Sequence, residues 1–77
     1  MRVTQKNIKL NKTGLVITSD NGFTMVPYSE IRSAYAVPID GYIKLKALDI
    51  GDIVIMSDDS VVFVDTILSK IADQAGA

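Results

Sequence analysis

The stretch IRSAYAVPIDGYIKLKA, Ile31 to Ala47, decides how this chain folds. Two runs rich in β-branched and aromatic residues flank Asp40-Gly41, and Asp and Gly tolerate the positive φ that a tight hairpin needs. Taken as a two-residue turn, Asp40-Gly41 sets Ile39 opposite Tyr42, Val37 opposite Lys44 and Tyr35 opposite Lys46. Pro38, Ala36 and Ala34 then lie on the other side, opposite Ile43, Leu45 and Ala47. That second face is wholly apolar, and its alanines let a helix or another sheet approach closely, so it is the expected core side. The first face carries Tyr35, Val37, Ile39, Tyr42, Lys44 and Lys46, a mixture of aromatic, aliphatic and cationic groups.

The segment just before it, MVPYSEI (Met25–Ile31), places a tyrosine, a serine and a carboxylate side by side. A turn at Asn21-Gly22 pairs Phe23 with Asp20, Met25 with Thr18 and Pro27 with Val16. In that register Pro27 falls at a hydrogen-bonded position with no N–H to give, so the ladder ends, bulges or swings away there. Val26 is held extended by the proline after it. Ser29 caps a single helical turn through Glu30, and Ile31 restarts a strand. Tyr28 and Ile31 point inward, while Glu30 pairs with Arg32 or is solvated. The stretch therefore reads as a bend.

Turns also fall at Asn11–Gly14 and Asp49–Gly51, between the runs LVITS, FTMV, YIKLKAL and DIVIMS. After Asp58-Asp59 two readings stay open. Val61, Val64, Leu68, Ile71 and Ala75 would line one face of a long helix. The run VVFV is nonetheless a poor helix start, which favours a strand at Ser60–Val64 paired with Asp52–Ser57. A helix over about 65–75 then follows, capped by Asp65 and stopped at Gly76, with Ile67, Leu68, Ile71 and Ala75 available to the core. The expected fold is α+β and mostly β. It comprises one domain over 1–77, strand-rich to 64, with six to seven short antiparallel strands in a curved sheet or partly open barrel and one C-terminal helix.

That order of elements, from IKLNKTGLVIT to TILSKIADQ, resembles a compressed pleckstrin-homology-like (PH-like) domain, and the VPYSEIRSAY bend is similar to bends in small domains of that shape. The resemblance is architectural. It implies a binding module, and members that bind lipids carry basic residues around the first hairpin, where Lys9 and Lys12 stand here.

Composition narrows the function. At 77 residues the chain buries only roughly 60–65% of its unfolded surface. Yet 48% of its residues are hydrophobic and its mean hydropathy is +0.27, which points to self-association. It has no cysteine and no histidine, which removes disulfides, thiolate metal sites and the commonest general base. Neither GxGxxG nor GxxxxGK[ST] occurs, and its six serines have no histidine to activate them. The aspartates Asp49, Asp52, Asp58 and Asp59 fall at turns, where Asp is ordinary, and match no EF-hand spacing. No enzyme activity, cofactor or metal site is expected. Met1–Thr13 is too polar for a signal peptide, and no run is long enough to span a membrane, so a soluble cytoplasmic protein is expected.

Charge is uneven. Residues 1–46 hold seven basic and three acidic groups, net +4, and residues 47–77 hold one basic and six acidic, net −5. Such asymmetry serves an anionic partner, complementary docking between copies, or merely solvated faces. For the Tyr–Lys face three readings stand open. It is a protein interface, a platform for single-stranded nucleic acid or another polyanion, or a partly buried face whose lysines reach water. The expectation is a non-enzymatic module that binds protein and forms homo-oligomers, with weak nucleic-acid binding as the alternative.

Overall fold

The computed structural model describes residues 1–75. Among these residues seven strands form two sheets and one helix follows them: β1 (Arg2–Thr4), β2 (Ile8–Leu10), β3 (Gly14–Ser19), β4 (Gly22–Pro27), β5 (Ile31–Val37), β6 (Tyr42–Ala47), β7 (Gly51–Met56) and α1 (Ser60–Ala75). Single 3-10 turns at Gln5–Asn7, Tyr28–Glu30 and Pro38–Asp40 join β1 to β2, β4 to β5 and β5 to β6. The larger sheet has the order β1-β7-β6-β5 and the smaller is the meander β2-β3-β4; neither closes into a barrel.

In both hairpins the inward and outward faces follow the expected alternation, but the register lies two residues away from that expected. Val37 faces Tyr42 and Tyr35 faces Lys44, because the connection is the four-residue turn Pro38–Gly41. Pro38 cannot donate to a ladder, and its fixed φ suits the first position of a 3-10 turn. Gly41, at φ 70°, then closes the turn by donating its N–H to the Pro38 carbonyl at 3.1 Å. In the earlier hairpin Thr18 faces Phe23, Val16 faces Met25 and Gly14 faces Pro27. The turn residues are Asp20-Asn21, and the positive φ belongs to Gly22.

That shift reverses the expected role of Pro27. The Tyr28 N–H donates to the Thr13 carbonyl at 3.1 Å, so the next pair, Gly14 with Pro27, is non-hydrogen-bonded, and proline fits there without loss. β4 ends at Pro27 all the same, and the chain turns through Tyr28–Glu30 into β5. The residue that caps this turn is Pro27 and not Ser29, with no side-chain cap. Tyr28 and Ile31 point inward as expected.

The expected strand at Ser60–Val64 is instead the first turn of α1. The place beside β7 is taken by β1, which pairs parallel to it, Arg2 with Val54 and Thr4 with Met56. The helix therefore begins at Ser60, not near 65. Asp65 is an interior residue, and the expected stop at Gly76 lies outside the described residues. Ser57 organises the start of the helix. Its hydroxyl accepts from the Asp59 N–H at 3.1 Å and donates to the Gln5 side-chain oxygen. Its own N–H donates to the Gly41 carbonyl at 2.9 Å. One buried serine thus ties the end of β7 to the helix, to the β1–β2 connection and to the β5–β6 turn.

The core is one cluster. Ile43, Leu45, Ile53 and Ile55 from the larger sheet meet Leu15, Ile17 and Val26 from the smaller, with Tyr28, Val64 and Ile67. Both the smaller sheet and α1 therefore cover the same inner face of the larger sheet. α1 packs chiefly on β5, whose Ala34 and Ala36 line the core as expected of small residues under a helix. Ile67 is fully buried and Ile71 partly so, whereas Leu68 and Ala75, also expected inside, are exposed. In the smaller sheet, Gly14 is required by close approach: a Cβ there would sit 2.5 Å from the Val26 carbonyl oxygen and 2.8 Å from the Met25 methyl.

Candidate interaction face

The outer face of the larger sheet is uncovered in the chain, and its register arranges the side chains in rows. Thr4, Met56, Tyr42 and Val37 form the first row. The second is Arg2, Val54, Lys44 and Tyr35, and the third is Asp52, Lys46 and Ser33. An apolar row thus stands at one end, and charge gathers toward the other. Tyr35 is 49% exposed, while Val37, Tyr42, Val54 and Met56 are half-buried. Cross-strand neighbours on one face lie roughly 4.5–5.5 Å apart at Cβ, so Tyr35 lies directly against Lys44.

Five of the six expected residues, Tyr35, Val37, Tyr42, Lys44 and Lys46, share this face. Ile39 does not: it sits in the 3-10 turn, 93% exposed, because Pro38 takes the chain out of the ladder one residue earlier. The structure adds Arg2, Asp52, Val54 and Met56. The β7 residues follow from strict alternation, since Ile53 and Ile55 are buried and Asp52, Val54 and Met56 alternate with them. Arg2 had no local signal, because β1 reaches β7 from the far end of the sequence. Lys44 Nζ lies 3.8 Å from Asp52 Oδ2, an exposed pair of small energetic worth that nonetheless occupies one cation. The face retains Arg2, Lys44 and Lys46 against Asp52, a formal net charge of +2.

The tyrosine, serine and glutamate of the bend do not converge. The Tyr28 phenol turns inward and donates to the Asn11 carbonyl at 2.6 Å, and burial pushes its pKa above the usual 10.0. Arg32 donates to the Ser29 carbonyl at 3.1 Å rather than meeting Glu30. Glu30 stands beside Asp49, and a hydrogen bond with its carboxyl group, then desolvation, then the repulsion between the two raise the Glu30 pKa above 4.5; Arg32 opposes this. A groove of about 280 Å³ between this bend and the end of α1 is lined by Tyr28, Ser29, Arg32 and Ile71, without Glu30. A second, of about 510 Å³, lies at the start of α1 among Gln5, Lys6, Asp40, Ser57, Asp58 and Asp59. Among the described residues no three metal-ligating side chains gather into a site. No helix among them is long and apolar enough to cross a membrane. Lys9 is exposed on β2, and Lys12 lies in the β2–β3 turn, where its carbonyl accepts from Gln74 at 2.9 Å.

No known protein family, curated protein or solved structure matches this chain.

Proposed function

We propose that this chain is a non-enzymatic binding and assembly module that acts through protein–protein contact, with a second copy of itself as partner. The observation that carries the reading is the uncovered four-stranded face, where Tyr35, Val37, Tyr42, Val54 and Met56 form an aromatic and aliphatic belt beside Lys44 and Lys46. Tyrosine and methionine are enriched in protein interfaces, and an apolar centre with a charged margin is their usual anatomy. A small PH-like domain agrees with the order of elements, but a fold by itself licenses no function, so the proposal rests on the face. Light scattering across a concentration series tests it. Mass rising with concentration supports it, and a strict monomer at high micromolar concentration overturns it.

One observation favours a second reading: Tyr35 lies directly against Lys44, with Tyr42 and Lys46 in the adjoining rows. Stacking rings beside cations suit single-stranded nucleic acid or another polyanion. The Lys44–Asp52 pair counts against strong binding. A fluorescence titration with single-stranded oligonucleotides at low salt decides it, and no binding there removes the reading.

A further inference from the structure

The two sides of the molecule carry opposite charge on apolar ground. α1 lies on the inner face of the larger sheet, so its exposed side points away from the Tyr–Lys face. That side presents Val61, Val62 and Leu68 to solvent, at 50%, 58% and 43% exposure. Asp65 and Asp73 are exposed among them, and Lys70, the one cation of the helix, is half-buried. Core packing does not account for this stripe, because α1 buries Ser60, Val64 and Ile67 instead. On the opposite side, the sheet face carries a comparable apolar belt with a formal net charge of +2.

We infer that copies of this chain dock head to tail, the exposed face of α1 from one copy lying across the outer sheet face of the next, with Asp65 and Asp73 set toward Lys44, Lys46 and Arg2. The inference rests on the self-association reading above and specifies its geometry. Charge favours it over a symmetric contact of sheet face on sheet face. Like net charge would meet like in the symmetric case, whereas the head-to-tail contact joins opposite charge, and apolar surface is covered in both. The helix is also long enough to cross the sheet: its 16 residues extend roughly 24 Å, and the four strands span roughly 14 Å between their outer axes. A contact between two different patches of one chain leaves each patch free on the terminal copies, so it builds rings or open filaments rather than a closed dimer. Such a footprint is small, and the contact belongs with weak, salt-sensitive associations.

Charge exchange tests the geometry. Two variants, K44E/K46E on the sheet and D65K/D73K on the helix, are measured by sedimentation velocity alone and mixed one to one, up to about 1 mM protein, a range that reaches weak complexes. Circular dichroism confirms that each is folded. Wild type is expected to grow beyond a dimer, each variant alone to stay monomeric, and the mixture to regain assembly, because every sheet face then finds a helix face of opposite sign. If D65K/D73K associates as wild type does while K44E/K46E stays monomeric, self-association stands and the head-to-tail geometry falls. If wild type itself is monomeric, the self-association reading fails with it. Should K44E/K46E not fold, D65K/D73K decides alone, since its substitutions lie on exposed helix positions: assembly undiminished in that variant overturns the inference.

Discussion

Single residues carry more structural work than their polarity suggests. Tyr28 is fully buried, yet it clasps the β2–β3 turn twice, through its N–H to Thr13 and its phenol to Asn11. Replacing it with phenylalanine is expected to cost about 1–2 kcal/mol by urea denaturation, the worth of a buried hydrogen bond whose acceptor is left unpaired. Because burial holds its pKa above 10.0, the neutral phenol favours the folded state. That contribution is complete below pH 10.0 and is lost as pH rises through the elevated value, so the Tyr28→Phe variant is expected to lose less Tm than wild type on the alkaline limb. Glu30 obeys the same sign at the acidic end. Its pKa is raised beside Asp49, so its favourable contribution is present below 4.5 and fades as pH climbs through the raised value. Asp49→Asn removes the repulsion, and a Tm series from acid to neutral pH is expected to be flatter than that of wild type, with the gain at neutral pH. An unchanged slope would sink the assignment.

At the scale of elements, α1 shows how burial selects a period. The run VVFV favours a strand by local propensity, yet Phe63, Val64, Ile67 and Ile71 reach the core at helical spacing while Val61 and Val62 stay outside. Tertiary packing overrides the local preference, and Ser57 fixes the point at which the chain turns. The inner and outer faces give a paired prediction. Ile67→Ala is expected to destabilise the protein by about 2–5 kcal/mol, the usual cost of truncating a fully buried aliphatic residue. Leu68→Ala, one position along on the exposed side, is expected to change stability by less than about 1 kcal/mol. Equal losses in chemical denaturation would mean that the helix is rotated from the orientation described.

For the whole molecule, size sets the margin. A chain of 77 residues has a stability of roughly 4–12 kcal/mol at typical per-residue values, so loss of Ile67 alone removes a large part of it. The excess of apolar residues lies at the surface rather than in a larger core: Tyr35 on the sheet face and Val61, Val62 and Leu68 on the helix, with Phe23, Met25, Ile39 and Leu48 elsewhere. If copies bind only in the folded state, mass action raises the apparent stability, and Tm is expected to increase with protein concentration. Calorimetry over a hundredfold range checks this, and a constant Tm would speak against association of folded copies.

Alternation along the strands was legible from the residues themselves. It assigned Ile43, Leu45 and Ala47 to the core and five of the six proposed face residues to the outside, and it survived an error of two in register because its period is two. The inward Tyr28 was legible too, and the strand does end at Pro27, but not for the expected reason, since Pro27 stands at a non-hydrogen-bonded position. Three things were settled only by the tertiary structure. Pro38 and Gly41 exchanged a two-residue turn for a longer one, which removed Ile39 from the face. β1 took the place beside β7, a parallel pairing across some fifty residues that no local pattern announces. With that place filled, Ser60–Val64 had no partner strand, and as a helix it brings Phe63 and Val64 to the core while Val61 and Val62 stay outside. Local periodicity settles which side of an element is buried, but what lies beside it depends on contacts that only the folded chain brings together.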